Sequence, residues 1–163
     1  MPTKFEEEIK KDNHSFIRSQ LVSGRPVPIE IRNKASQSGL MLACQNKSFK
    51  TVQVFVKNKA DVNAMDASGW TPLHYATQSG CSDTLKLIIE QGANVNAKTN
   101  GGQCPIHMAA EEGNLESLKI LTESNADVNA INNIDDCAIH IATQIEQVDF
   151  LKHLIEKKQT SMQ

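Results

Sequence analysis

Aromatic residues are scarce in this chain, with five Phe, one Trp and one Tyr among 163 residues. They are too few and too scattered to build the stacking platform on which single-stranded nucleic acids bind. The chain also lacks a basic excess, because 17 Lys and Arg stand against 19 Asp and Glu. Such an excess supplies most of the non-specific affinity for phosphate backbones. We therefore expect no nucleic-acid partner.

Long apolar runs are also missing, and none approaches the roughly 20 residues that span a membrane. The segment from Met1 to Glu8 is acidic and lacks the apolar region of a signal peptide. Four cysteines are too sparse for a disulfide scaffold in a chain of this length, which favours reduced thiols. These features predict a soluble cytoplasmic or nuclear protein with no membrane partner.

Two short motifs recur at a fixed spacing of 33 residues. The first occupies residues 71–76, 104–109 and 137–142, with a degraded copy at 38–43, and the second occupies 60–64, 93–97 and 126–130. A fixed period of this length is the signature of a repeat architecture, in which each unit buries its apolar face against its neighbours.

Helix-starting and helix-ending residues divide each period into two short helices and a turn-rich finger. Pro72 and Pro105 suit a first helical position, where no backbone N–H is needed. Gly80 and Gly113 suit the end of that helix. A second apolar pattern then runs to Gly92, to Asn125 or, in the first copy, to Lys59, at a position that favours a left-handed backbone.

The stretches DASGWTPLH at 66–74 and QGANVNA at 91–97 resemble the ankyrin repeat. The resemblance implies an all-α solenoid of stacked helix-turn-helix units with β-turn or hairpin fingers. It places one domain over 1–163, divided into an N-terminal cap at 1–32, repeats at 33–65, 66–98, 99–131 and 132–159, and a tail at 160–163. The first and fourth copies are degraded, as suits terminal units with a solvated outer face.

The N-terminal cap is predicted as a helix pair. Its apolar residues at helical spacing are Phe5, Ile9, Phe16, Ile17 and Leu21. Gly24 and the segment 25–28, which contains two prolines, are predicted to end the pair. Two alignments of this cap to the repeat fit equally well, so its register stays open.

Two Cys/His pairs have the residue types and spacing of metal-ligand or catalytic pairs, namely Cys104 with His107 and Cys137 with His140. The same slots hold Thr71 and His74 in the second repeat, so the position persists while its chemistry changes. Repeats are stacked about one helix diameter apart, roughly 10 Å, whereas zinc holds its ligands at about 2.0–2.3 Å. We therefore expect no metal, no cofactor and no enzymatic activity, with a Cys/His enzyme as a remote alternative. The resemblance implies that the three histidines bond to the backbone of the adjoining finger.

Residues that the stack does not need are candidates for partner binding. The resemblance places them on the fingers and on the concave edge of each first helix. They are Lys34, Met65, Ser68, Trp70, Gln78, Ser79, Lys98, Asn100, Gln103, Glu111, Glu112, Ile131, Ile134, Asp136 and Ile145. Five are large apolar residues, and exposed apolar clusters mark partner sites. For Trp70 two interpretations stay open: an anchor for a partner, or a cover for its own finger.

Charge changes sign along the predicted groove. Arg32, Lys34 and Lys47 precede a set of acids at 111–112 and 135–136. Either this gradient steers a partner segment of opposite gradient, or it is scattered surface charge. We expect a non-enzymatic interaction module, monomeric alone, that inhibits a cellular enzyme or regulator. The alternative is an adaptor, or a pathogen effector acting on proteins in the host cytosol.

Overall fold

The computed structural model describes residues 3–22 and 31–160, and in these residues the chain is all-α. The helices are α1 (Lys4–Lys10), α2 (His14–Val22), α3 (Gly39–Gln45), α4 (Phe49–Lys57), α5 (Pro72–Ser79), α6 (Ser82–Glu90), α7 (Pro105–Glu111), α8 (Leu115–Glu123), α9 (Ala138–Gln144) and α10 (Val148–Thr160). No helix in this part of the chain is both long enough and apolar enough to cross a membrane.

The helices form two layers. The odd-numbered helices, here called inner helices, pack on one another in order, and the even-numbered outer helices do the same. Each inner helix also packs on the outer helix that follows it. One alanine slot of the inner helices is fully buried in all four repeats, at Ala43, Ala76, Ala109 and Ala142. Because these side chains are small, neighbouring inner helices can approach closely. The predicted solenoid is confirmed.

Helix bounds follow the predicted signals. Helices α5 and α7 begin at Pro72 and Pro105. Gly80 is left-handed at φ 70° directly after α5, and Gly113 is left-handed at φ 62° just beyond α7. Lys59 follows α4 with φ 66°, the left-handed backbone predicted for that position.

The same left-handed geometry persists where the sequence is degraded. Lys47 has φ 57° and Glu146 has φ 55°, in the slots that hold glycine in the second and third repeats. A residue with a Cβ atom adopts this conformation at a cost of about 1 kcal/mol. Stacking therefore imposes the backbone of the terminal copies despite their side chains.

The N-terminal helix pair is stacked as a further unit. The Ser48 hydroxyl donates to the carbonyl of Ile9 at 2.8 Å. One carboxylate oxygen of Asp12 accepts from the backbone N–H of Thr51 at 3.0 Å and from its hydroxyl at 2.8 Å. Helices α1 and α2 begin 35 residues before α3 and α4, so the register differs from the 33-residue period by two. The predicted break at Gly24 and 25–28 lies outside the described residues.

Buried histidines join consecutive units. His74 Nδ1 accepts from the backbone N–H of Thr71 at 3.1 Å, so its other nitrogen, Nε2, donates to the carbonyl of Gln103 at 3.1 Å. His107 repeats the arrangement, with Nδ1 2.9 Å from the backbone N of Cys104 and Nε2 2.9 Å from the carbonyl oxygen of Ala130. Burial lowers the pKa of His74 to about 4 and also lowers the pKa of His107. Both rings are therefore neutral near pH 7.

The expectation for the third histidine of this motif was wrong. His140 is exposed, and its Nδ1 lies 3.3 Å from the backbone N of Cys137 and 3.7 Å from the carboxylate of Asp136. In the described residues no finger follows the fourth repeat, so the ring has no adjoining carbonyl to reach.

Candidate protein-binding surface

Each finger is a tight five-residue turn held by its first side chain. The fingers are residues 33–37, 66–70, 99–103 and 132–136. In the second, Asp66 donates its backbone N–H to the carbonyl of Trp70 at 3.0 Å. One oxygen of its carboxylate accepts from the N–H groups of Ser68 at 2.8 Å and Trp70 at 2.9 Å. Gly69 closes the turn at φ 77°, so the finger is rigid and its tip is fixed.

Asparagines join successive finger tips. The backbone N–H of Asn100 donates to the carbonyl of Ser68 at 3.0 Å, and its side-chain amide donates to the carbonyl of Ala67 at 3.1 Å. Asn133 makes the corresponding pair of bonds to the third finger, at 3.1 Å to Gly101 and 3.0 Å to Asn100. Asn100, a predicted partner residue, is thus already occupied in joining three fingers.

Two long cations also connect neighbouring fingers. The Lys98 ammonium donates to the carbonyl of Ile131 at 3.1 Å, and the Arg32 guanidinium donates to the carbonyl of Met65 at 2.7 Å. Lys98 was predicted to bind a partner, but its ammonium is bonded to the next repeat. Lys34, from the same prediction, is exposed.

Trp70 is half-buried against its own inner helix. Its ring centroid lies 5.0 Å from that of Tyr75 and 6.0 Å from that of His74. The remaining ring surface helps to line a depression of about 320 Å³ together with Ser68, Gln78 and Gln45. Three predicted partner residues, Ser68, Trp70 and Gln78, therefore share one depression. Trp70 both covers its own repeat and faces that depression.

Tyr75 belongs to this depression but was not predicted. Its hydroxyl accepts from the side-chain amide of Gln37 at 2.7 Å and donates to the carboxylate of Asp66 at 2.6 Å. Burial raises the pKa of this phenol to about 12. The sequence contains one indication of this role, because the other repeats carry apolar residues at the position of Tyr75: Leu42, Met108 and Ile141.

The acidic edge lies on the third repeat. The Gln103 side-chain amide donates to the Glu111 carboxylate at 2.6 Å, which brings two predicted residues together. Glu112 is exposed, and no ion pair holds it within 3–22 and 31–160. Asp136 is half-buried beside His140. Ser79 donates its hydroxyl to the carbonyl of Ala76 at 3.0 Å, so its side chain is satisfied within α5.

Exposed apolar side chains concentrate on the fingers and the last repeat. Four were predicted partner residues: Met65 is 52% exposed, Ile131 48%, Ile134 75% and Ile145 45%. Two further exposed apolar side chains, which were not predicted, lie on the last outer helix and on neither a finger nor an inner helix: Val148 at 60% and Ile155 at 46%. Their slots are half-buried in the other repeats, so a stack-based pattern did not single them out.

The cysteines form no bridge and are all free. Burial raises the pKa of the thiols of Cys44 and Cys104, which disfavours the nucleophilic thiolate. Within the described residues, no group of three His, Cys, Asp or Glu side chains could hold a metal ion.

The structure is a helical solenoid. Apolar and acidic side chains are exposed at its fingers and helix ends, and its buried polar groups join neighbouring repeats. These features define a repeat scaffold. Family profiles for ankyrin repeats match residues 9–99 (three copies) and 106–155 (many copies). The chain belongs to the ankyrin-repeat family, as its sequence pattern predicted. The repeats are a protein-protein interaction module, of a kind that is generally non-enzymatic. A comparison with curated proteins returns no match.

Proposed function

We propose that this protein binds a segment of a partner protein across its fingers and the ends of its inner helices, without enzymatic activity of its own. The observation that carries the proposal is the set of four exposed apolar residues Met65, Ile131, Ile134 and Ile145. Met65 and Ile131 directly precede a finger, Ile134 lies within one, and Ile145 follows α9. Apolar side chains of this size bury surface at interfaces, and the bonded fingers hold the backbone of the first three at little entropic cost on binding.

The acids of the third repeat supply the polar part of this surface. Glu111 and Glu112 are exposed, and Glu111 accepts the bond from Gln103 of the third finger at 2.6 Å. Charges at the rim of an interface accelerate association and fix the register of the partner. A partner segment with apolar anchors and basic residues fits this surface best.

A protein that occupies a partner through this surface fits the role of an inhibitor of a cellular enzyme or regulator. The described residues consist of repeats, so this part of the protein acts by occupying or bridging other proteins. An adaptor, or an effector acting on host proteins, uses the same surface and differs only in whether the partner stays active. An activity assay of the purified partner separates these roles, because an inhibitor lowers that activity at saturation and an adaptor does not.

The test uses Ile134→Ser in an affinity capture from extract of the source cells, followed by titration of the purified partner. Truncating an interface anchor costs about 2 kcal/mol or more, so we expect affinity to fall at least about tenfold. The matched control is Val148→Ser, which removes a similarly exposed apolar side chain from the first turn of α10. That variant should bind as the wild type does.

Glu112→Lys tests the acidic edge separately. Binding should weaken more at low salt than at high salt, because an exposed charge is screened. Equal affinity of wild type, Ile134→Ser and Glu112→Lys for a verified partner would place the interface on another surface and contradict the proposal.

A further inference from the structure

A second candidate site lies on the opposite side of the molecule, in the groove between the outer helices α2 and α4. The groove has a volume of about 470 Å³ and is lined by His14 and Arg18 from α2 and by Lys50, Gln53, Val54 and Lys57 from α4. Its size falls within the range of small-molecule sites, about 300–1,000 Å³. Its lining is basic and contains no Phe, Tyr or Trp.

The charge of α4 is reversed relative to every other repeat. Lys50 occupies the slot that holds Asp83, Glu116 and Asp149, and Lys57 occupies the slot that holds Glu90, Glu123 and Glu156. Between them, Gln53 replaces Lys86, Lys119 and Lys152. Because the outer helices of the four repeats, α4, α6, α8 and α10, serve the same stack, what stacking requires is common to them. The exchange of acid for lysine at two positions is therefore not a requirement of the fold.

The cations of the groove have no acidic partner. Arg18, Lys50 and Lys57 are exposed, and none forms an ion pair in the part of the chain that the structure describes. In the later repeats the reversed slots do hold ion pairs, with Lys86 3.9 Å from Glu116 and Lys152 3.4 Å from Asp149.

Capping does not explain Lys50 either. An acid in the first turn is favoured because it complements the positive end of the helix dipole, and α4 has none. Asp12 supplies this carboxylate from the preceding unit through its bonds to Thr51. Because Asp12 fills this role, residue 50 need not be an acid, but the contact does not explain why it is a lysine. Asp12 is half-buried, and because its carboxylate accepts both bonds from Thr51, its charge is used there.

The surrounding sequence extends the same bias. The described residues 13–22 and 31–59 contain seven Lys and Arg and no acid, although the whole chain carries a formal charge of −2. The basic groove therefore lies in a positive region of an otherwise acidic protein, and such a region attracts anions from solution.

We propose that the groove between α2 and α4 binds a small anion that carries two or more phosphate groups, either free or as a lipid headgroup. Phosphate esters supply dianions and strong acceptor oxygens in a small volume, which suits three cations around one groove. Arg18 offers a bidentate fork, and Lys50 and Lys57, two helical turns apart, offer point charges. The groove offers no Phe, Tyr or Trp platform for a base, so its recognition rests on charge. This site is independent of the proposed binding of a protein partner.

The test titrates inositol hexakisphosphate into the full chain by calorimetry, and it measures binding to phosphatidylcholine vesicles with and without phosphatidylinositol bisphosphate. The informative variant is Lys50→Asp with Lys57→Glu, which installs the acids of the other repeats and so should fold. Each lost charged contact weakens binding about tenfold or more, so we expect at least a 100-fold loss. Amide NMR shifts on titration should map to α2 and α4.

The matched control is Lys34→Glu with Lys47→Glu, which changes the net charge by the same amount outside the groove. Glu146 already occupies the slot of Lys47 with the same left-handed backbone. This control should lose less than threefold in affinity. Parallel loss of soluble and vesicle binding in the groove variant supports a headgroup as a source, and loss of soluble binding alone supports a free polyphosphate.

Three outcomes would overturn the proposal. They are no saturable binding of either probe at low salt, equal weakening by both double variants, and binding of a decaglutamate peptide or a short oligonucleotide as tight as that of the polyphosphate. The last would make the groove a general polyanion surface or an interface with another class of macromolecule.

Discussion

The middle of the solenoid and its last repeat use the same histidine in different ways. His74 and His107 are fully buried and bonded at both ring nitrogens, whereas His140 is exposed. All three lie in the same motif, as the third residue of the same kind of helix. The neighbouring unit, and not the motif, therefore decides whether this side chain stabilises the stack.

The same difference extends to the surface beside His140. Thr143 is exposed, although Thr77 and Ala110 are buried in the equivalent slot. His140 and Thr143 are exposed because no described repeat covers them, whereas Ala142 of the same helix stays fully buried. Acid unfolding and the removal of single histidines test this distinction, and a substitution after an outer helix tests the backbone of the first repeat.

Acid should selectively destabilise the middle of the stack. Above pH 6.5 His74 is neutral in both the folded and the unfolded chain. As the pH falls from 6.5 toward 4, the unfolded chain binds a proton that the folded chain excludes, because the folded pKa is about 4. The free energy of unfolding should fall by about 3 kcal/mol through this window, and His107 should add to the loss. Urea unfolding at pH 7, 5.5 and 4.5 measures it.

Carboxylates also respond to acid, so the comparison requires a matched variant. His74→Gln keeps a side-chain donor for the carbonyl of Gln103 and removes the titrating ring. Its pH dependence should be shallower than that of the wild type, which retains every carboxylate in common with it. Identical slopes for the two proteins would mean that burial of His74 does not control acid unfolding.

Removing a middle histidine should cost more than removing the last one. His107→Ala leaves the N–H of Cys104 without an acceptor and the carbonyl of Ala130 without a donor, both inside the stack. We expect a loss of about 2–3 kcal/mol in the free energy of unfolding for this variant. His140→Ala should change it by less than about 0.5 kcal/mol. Equal losses in urea unfolding at pH 7 would show that the motif contributes without a covering repeat.

The smallest effect concerns the left-handed residue after each outer helix. Lys59→Gly should raise the free energy of unfolding by about 1 kcal/mol, since glycine adopts φ 66° without a steric cost. Asn125→Gly is the control, and it should gain only a few tenths of a kcal/mol because asparagine tolerates this region. A lower denaturation midpoint for Lys59→Gly would mean that the lysine side chain makes a compensating contact.

The sequence predicted the parts of the fold that repeat. Helix starts at Pro72 and Pro105, and the left-handed backbone at Lys59, follow from intrinsic preferences that act at one position. Because the period aligns all copies, these local signals also located the degraded first and last repeats.

The candidate site was less predictable from the sequence. The period shows which positions the stack leaves variable, and it says nothing of how far a side chain at such a position reaches. Lys98 and Asn100 were assigned to a partner, yet both bond to neighbouring fingers. The role of Tyr75 depends on Gln37, 38 residues away, so no local pattern reveals it.

The bonds between units have a further consequence for how the chain folds. Most of the hydrogen bonds that connect neighbouring units join residues 23 to 39 positions apart, as between His107 and Ala130 or between Ser48 and Ile9. Each unit can therefore assemble on its neighbour by closing a short loop. Topologies dominated by local contacts fold faster than those that require distant pairing. Folding can begin at any well-formed adjacent pair and spread outward, and in native-state hydrogen exchange the terminal units should open first.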